Sequence, residues 1–402
     1  MKTFVTFLGR GRENPKTGYR EATYKFPDGS TKTTAFFGLA LAEYIKPDRI
    51  VILGTKSSQW GVLVENLAAE GEAEDTRLEI FEAEAIGEIE QEHLDKVTNL
   101  ISGAIGCEVV PRLIPFGVDE SEQYKILDVI ATNVPEGVVN FDLTHGFRHF
   151  GMIGFLSAFM LARVRGVEVK HRRLEVKDLW YGALEMTKDN ITPVLRLDGL
   201  DRVRQWLDAL NRFDATGDYR VFGSLLVKDG VSTDMAKHLE TAAFHERTLN
   251  LSAAADEIHK FRPILESNLT GASGLFQQRL ADRLMWVDLD MLSKQQAELA
   301  YQYLERRDYV RAAVFAWESL ITKACEEQGL NPSIRTHREH QNVLTAVGAD
   351  KQQALRDLNQ IRRALAHANP PNAERVQKIL MNEQTLRETL QQAFERLLPK
   401  HD

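Results

Sequence analysis

Cysteine is scarce in this 402-residue sequence. Cys107 and Cys325 are the only two, far apart and outside any CxxC pair. That excludes a disulfide framework and a thiolate zinc site, and reduced thiols suit a cytoplasmic protein. Glycine and proline, at 26 and 12 residues, are too few for a collagen-like or low-complexity chain. Positive charge is not in excess: 50 Lys and Arg against 58 Asp and Glu leave a net charge of −8. A polyanion would have to be met by a local basic patch rather than by the field of the whole molecule. No apolar run is long enough to span a bilayer; the longest, FGMIGFLSAFMLA at 150–162, reads as a buried helix. The opening MKTFVTFLGRGR has too short an apolar stretch for a signal segment and no small-residue cleavage site. The expectation is a soluble, cytoplasmic protein with no membrane partner.

What is present has the composition of an ordinary globular protein, 43% hydrophobic and 27% charged, and a length for two domains or three. The first half alternates strand-like runs with helical patterns. FVTFL (4–8), IVIL (50–53), LEIFE (78–82), EVVPRLIPF (108–116), GVVNFDL (137–143), VEVKHRRLEV (167–176) and WYGALEM (180–186) read as strands. Helical patterns fall near 33–45, 60–70, 88–103, 119–133 and 148–165. Strand and helix in alternation predict a Rossmann-like parallel sheet covered on both faces. From about residue 197 the strand runs stop, and apolar stripes of helical period appear near 198–213, 235–265, 275–305, 310–321, 350–368 and 372–397. The fold class is therefore α/β plus all-α, with domains at 1–195 and 196–402.

In an open parallel sheet, ligands gather where strands end at their carboxyl side. Three such loops carry suitable chemistry: Gly9, Arg10, Gly11 and Arg12 after the first strand; Thr55, Lys56, Ser57 and Ser58 after IVILG; and Asp142, Thr144, His145, Gly146 and Arg148 after VVNF. Small residues, backbone N–H groups, hydroxyls and cations together suit a phosphate-bearing ligand. None is a Walker or GxGxxG loop, which weighs against ATP and dinucleotides. Plainer roles stay open: Thr144 as a helix cap, His145 as a partner of Asp142, the glycines as turns. Ser58, His145 and Asp142 supply the residue types of a triad, but there is no GxSxG elbow, and an Asp three residues from its His is poorly placed for a relay.

In the second half, LNQIRRALAHANPP (358–371) stands out. Pro370 and Pro371 stop the helix and push Asn369 out of the helical region, leaving His367 in the last turn, where the helix dipole favours an imidazolium. Arginine beside histidine is what RNA cleavage without a metal needs. The ribose 2′-OH attacks the adjacent phosphate, histidine moves a proton, and a guanidinium stabilises the charge on the phosphorane. Arg363 and His367 are i, i+4 and share a face, whereas Arg362 and His367 lie roughly 140° apart. If Arg362 is catalytic, a second chain or a distorted helix end is required. A surface helix with solvated arginines and a capping histidine is the plainer alternative. No metal-ligand cluster is apparent, so no metal is expected.

DLTHG (142–146) after a buried strand resembles the DxTHG motif of a CRISPR-associated family. FLGRG, ILGTKSSQW and YGALE (181–185) resemble that family's N-terminal CARF domain, and Arg362-x4-His367 is similar to the R-x4-6-H motif of HEPN ribonucleases. The resemblance implies a CARF–HEPN ribonuclease of type III CRISPR systems, with the HEPN core at about 295–402. It implies a homodimer whose CARF domains hold a cyclic oligoadenylate, tetra-adenylate being favoured, through the 9–12 and 54–58 loops and Thr144, His145 and Gly146. Single-stranded RNA would be cut to 2′,3′-cyclic phosphates by Arg362 and His367. Many such motifs carry a small polar residue after the arginine. Here it is Arg363, either a second phosphate clamp or the catalytic arginine itself. Two rivals are a non-catalytic sensor with a helical dimerisation module, and a ring nuclease that degrades its own activator.

Overall fold

A computed structural model describes residues 1–10, 21–69, 71–165, 174–339, 348–368, 371 and 373–398. The chain divides into two compact units, Met1–Leu200 and Asp201–Asp402; the boundary expected from the sequence lay near 195.

The first unit runs β1 (Lys2–Leu8), β2 (Ala22–Lys25), β3 (Thr31–Thr34), α1 (Phe37–Ile45), β4 (Arg49–Gly54), α2 (Trp60–Leu67), α3 (Glu74–Ala85), α4 (Gln91–Ile105), β5 (Glu108–Leu113), α5 (Glu120–Asn133), β6 (Gly137–Asp142), α6 (Arg148–Arg165), β7 (Leu174–Gly182) and β8 (Ile191–Arg196). They form one sheet in the order β3-β2-β8-β7-β6-β1-β4-β5. Strands β7, β6, β1, β4 and β5 are mutually parallel. Both faces of this central part are covered. Phe4, Leu8, Ile50 and Ile52 pack with α1, α2 and α4, while Val5, Phe7, Val51, Leu53 and Phe141 pack with α5 and α6. This double burial is why FVTFL and IVIL read as continuous apolar runs rather than alternating ones.

The sheet corrects the expectation in one respect: it is mixed, not wholly parallel. β8 returns antiparallel to β7, and β3 antiparallel to β2. The connection from Gly182 to Ile191 is too short for a helical crossover, and that from Lys25 to Thr31 is a turn, so each pair must reverse. Three more expectations are overturned. LEIFE belongs to α3, where only Ile80 is buried and the Glu- and Ala-rich surroundings favour helix. Leu184–Met186 is a 3₁₀ turn rather than the continuation of a strand. The run at 150–162 is helical but not wholly buried: Met152, Leu156, Met160 and Val164, four apart on α6, are 68%, 64%, 44% and 69% exposed. Of the strand expected at 167–176, only residues 174–176 lie among those described.

The second unit is helical throughout its described residues: α7 (Asp198–Thr216, which begins in the first unit), α8 (Gly223–Lys228), α9 (Thr233–Arg247), α10 (Leu251–Glu266), α11 (Gly271–Leu284), α12 (Leu292–Glu305), α13 (Tyr309–Glu327), α14 (Arg335–Glu339), α15 (Gln352–His367), α16 (Glu374–Leu380) and α17 (Glu383–Leu397). The stripes expected at 235–265, 275–305 and 372–397 each break into two helices. Asn250 and Asn382 cap two of the restarts, accepting from the N–H groups of Ala253 and Thr385. Helices α12, α13, α15 and α17 pack on one another. An ion pair between Arg283 and Glu246, both fully buried, lies between α9 and α11, with the Arg283 guanidinium over the rings of Tyr219 and Tyr303. No helix among the described residues is long and apolar enough to cross a membrane.

Candidate functional site

β1 is the strand on either side of which the chain's direction of travel reverses, with β4 and β5 on one flank and β6 and β7 on the other. Its carboxyl end is the switch point of the sheet, and the three loops expected to bind ligand converge there. The contacts between them are close. A Cβ on Gly9 would lie 3.0 Å from the Gly146 nitrogen, so only glycine lets the first loop lie against the third. The Gly9 carbonyl accepts from the Gln59 N–H at 3.3 Å, and Ser58 Oγ donates to the Leu8 carbonyl at 2.6 Å, joining the first loop to the second.

The second loop is braced from within. Ser58 Oγ accepts from the Thr55 N–H at 2.9 Å, and Trp60 Nε1 donates to the Thr55 carbonyl at 3.0 Å. Thr55 and Ser58 are buried, so their hydroxyls shape the loop. Lys56 and Ser57 are partly exposed, Lys56 in an ion pair with Glu90. The third loop turns on Asp142, which is fully buried and accepts from Thr6 Oγ1 at 2.7 Å and from the Thr144 N–H at 2.9 Å. Burial pushes the Asp142 carboxyl up, with His145 opposing; burial likewise pushes the His145 imidazole down, with Asp142 opposing. The Nε2 atom of His145 is buried without a hydrogen-bond partner among the described residues. Thr144 does not cap the next helix: its Oγ1 accepts from the Gly182 N–H at 2.8 Å, tying the loop to the end of β7. Gly146 has φ +90°, a conformation glycine alone adopts without strain.

Of the expected cations, Arg10 and Arg148 are exposed near these loops, Arg148 close to Tyr181 and Glu185. Gly11 and Arg12 lie outside the described residues. Sequence reasoning missed Phe116, Phe147 and His149, whose rings cluster at the same end of the sheet. The aromatic run FRHF at 147–150 was the available signal.

The second expected site ends α15. Leu355, Leu358 and Ile361 bury one face of this helix, and it stops at His367, with Ala368 in the left-handed conformation, φ +52°. Asn369 and Pro370 lie outside the described residues. Beside Ile361, Arg362 is drawn half inward. Its guanidinium lies 5.2 Å from the centroid of the Trp317 ring, and Nη2 donates to Asn359 Oδ1 at 3.0 Å. Its Nε is buried without a partner among the described residues. Burial lowers the Arg362 pKa, with Glu318 opposing and Arg363 adding to the fall. Arg363 and His367 are exposed. Thus the three residues occupy one helix end, but only Arg362 is anchored; Trp317 and Asn359 were not foreseen. Among the described residues no group of His, Cys, Asp and Glu could hold a metal ion.

Fold and loops define a Rossmann-like unit with three loops gathered at the switch point, joined to a helical unit. Residues 3–184 match the family model for the CARF domain of the CRISPR system endoribonuclease Csx1. Over 409 aligned positions the chain is 24% identical to the CRISPR-associated protein MJ1674 of Methanocaldococcus jannaschii, covering 92% of this chain and 62% of that protein. The chain thus spans about three-fifths of that relative's length. The structure of Enterococcus italicus Csm6 bound to cyclic hexa-2′-fluoro-hexa-dAMP aligns with 98% of this chain and 95% of that one, at 10% identity and a TM-score of 0.29. Residues 3–184 are thus similar to a CARF domain and the chain as a whole to a CRISPR-associated protein, and an α/β unit followed by a helical one is the arrangement that the sequence resemblance implied.

Proposed function

We propose that this protein is a cyclic-oligoadenylate-activated endoribonuclease that cuts single-stranded RNA in type III CRISPR defence. The observation that carries the reading is the joining of a Csx1-type CARF domain to a helical unit in which one helix ends on Arg362, Arg363 and His367. The ring lies over the switch point, where Gly9 and Gly146 offer backbone at close approach and Arg10, Lys56 and Arg148 offer charge to its phosphates. In the helical unit, His367 moves the proton of the attacking 2′-OH. A guanidinium, either the anchored Arg362 or Arg363, stabilises the phosphorane; the P–O5′ bond then breaks, the departing 5′-oxygen takes up a proton to become a 5′-hydroxyl, and a 2′,3′-cyclic phosphate is left on the other fragment. These groups are sufficient for the chemistry without a metal.

The reading includes a homodimer. A symmetric ring is matched by a two-fold axis that presents each loop twice. A helix apolar all round is normally buried, yet α6 leaves Met152, Leu156, Met160 and Val164 uncovered in one chain. This face starts where the Asp142–Gly146 loop ends, so a second copy packed on it brings two such loops together. Allosteric control then requires only that the ring bind one dimer state more tightly than the other.

The test is RNA cleavage by pure protein in EDTA, with and without cyclic tetra- or hexa-adenylate. Ring-dependent cutting that is lost in His367→Ala, with ring binding retained, is the expected result. Ring binding without cutting would instead make the protein a sensor, and linear products from the ring itself would reveal a ring nuclease.

A further inference from the structure

We propose that Phe116 and Phe147 form a stacking platform for a nucleobase of the bound ring; this rests on the reading of the first unit as a cyclic-oligoadenylate sensor. The two phenylalanines come from different loops, one after β5 and one after β6. Their ring centroids are 6.0 Å apart. They remain 39% and 46% exposed, although large apolar side chains at a loop tip gain nothing from water. They are held stiffly. Phe147 is stacked on His149 at 5.8 Å and meets the buried Phe150 edge-on at 5.4 Å, while His149 Nε2 hydrogen-bonds the Phe116 carbonyl at 2.7 Å. Gly117, with φ +72°, brings its loop against His149, where a Cβ would lie 3.1 Å from Nε2.

Charge chooses among possible occupants. Phe116 lines a cleft of about 680 Å³ together with Lys56, Glu90, Arg112 and Asn133. Arg112 is held in place, donating to Asn133 Oδ1 at 3.1 Å and to its neighbour's carbonyl at 2.9 Å. Among the described residues Lys56 pairs with the exposed Glu90, a bond weak enough for Lys56 to turn to a phosphate. Phe147 follows directly on Gly146, which packs against Gly9. Aromatic faces, a movable cation and glycine backbone within one corner are the two halves of nucleotide recognition: a π-surface for the base and charge or N–H groups for the phosphate. An apolar protein segment would need only the rings. The platform would therefore hold one base of the ring outward from the switch point while its phosphates stay at Gly9, Lys56 and Gly146.

The experiment uses the full chain and cyclic tetra-adenylate carrying 2-aminopurine at one position, whose fluorescence falls on stacking. Phe116→Leu and Phe147→Leu keep apolar bulk and remove the aromatic face. Each should weaken binding about tenfold, the scale of one lost base stack, and leave the probe brighter at saturation. Phe244→Leu, at an exposed phenylalanine of the second unit, should change neither. Sedimentation velocity on the same samples separates stacking from assembly. Weakened binding with unchanged sedimentation supports the platform, whereas weakened binding that accompanies dissociation of the protein overturns it. Wild-type affinity and wild-type quenching in both variants also overturn it while leaving the sensor reading intact. A wild-type protein that binds neither cyclic tetra- nor hexa-adenylate overturns the sensor reading and the platform with it.

Discussion

The Gly146→Ala substitution tests whether the loops at the switch point are as tightly fitted as their geometry requires. Two costs add. At φ +90° an L-residue is strained, by about 1–2 kcal/mol for the left-handed region. The new methyl would also lie 2.9 Å from Phe150 Cδ2. Phe150 cannot retreat cheaply, being buried and stacked on Phe7 at 5.7 Å. Overpacking of that kind costs about 1–3 kcal/mol. The sum is about 2–5 kcal/mol. For a unit of 200 residues, this lowers the melting temperature by about 4–20 °C, at about 2–4 °C per kcal/mol. The internal control is the same change at Gly103, which is exposed in the last turn of α4, with nothing among the described residues within 4 Å of the added Cβ and no positive φ. There, alanine should stabilise by up to about 1 kcal/mol, because glycine is the poorer helix former. Calorimetry of the intact chain reads both, and cyclic tetra-adenylate affinity should fall for Gly146→Ala alone. A Gly146→Ala protein that melts with the wild type, or rises as Gly103→Ala does, would refute the reasoning.

The other expectations concern both units. In the nuclease assay, whichever arginine faces the phosphorane should cost a factor on the order of 10²–10³ when changed to Ala, so comparing Arg362→Ala with Arg363→Ala assigns the role; equal and small losses would remove both from the chemistry. Glu246→Ala and Arg283→Ala should each destabilise the helical unit by about 3–5 kcal/mol, because each strands a buried charge, while Glu246→Leu combined with Arg283→Met should recover most of the loss. Chemical denaturation measures this, and additive effects in the double variant would contradict it. Glu84 accepts from the Gly61 N–H at 2.6 Å, and burial raises its carboxyl above the ordinary range against the pull of backbone N–H groups. Such a group contributes stability that is complete below its unfolded pKa and lost as pH rises through the folded one. Glu84→Gln should therefore flatten the decline of stability from about pH 4 upward, and an unchanged slope in pH-dependent melting would count against it.

Local signals were enough for much of this protein. The apolar runs at 4–8 and 50–53 are strands because both faces of the central sheet are covered, and a residue buried on either side needs no alternation. The helix end at His367 was also readable. LEIFE was not, since a five-residue run with Leu78, Ile80 and Phe81 apolar fits both periods and only its place on α3 decides between them. Strands β2 and β3 escaped notice because each is only four residues long: ATYK turns just Ala22 and Tyr24 toward the core, and TKTT has no apolar residue.

By itself, then, the order of residues determined the two-part architecture, the three strand-end loops and the Arg–His helix end, all set by periodicity and by the backbone preferences of neighbouring residues. Tertiary structure alone decided that Thr55 and Ser58 turn inward to brace a loop, that Thr144 grips Gly182, that Arg362 lies on Trp317, and that Phe116 meets Phe147. Those pairings depend on which crossover brings which strand beside β1, and strand order is a property of the whole packed sheet that no short stretch of sequence carries.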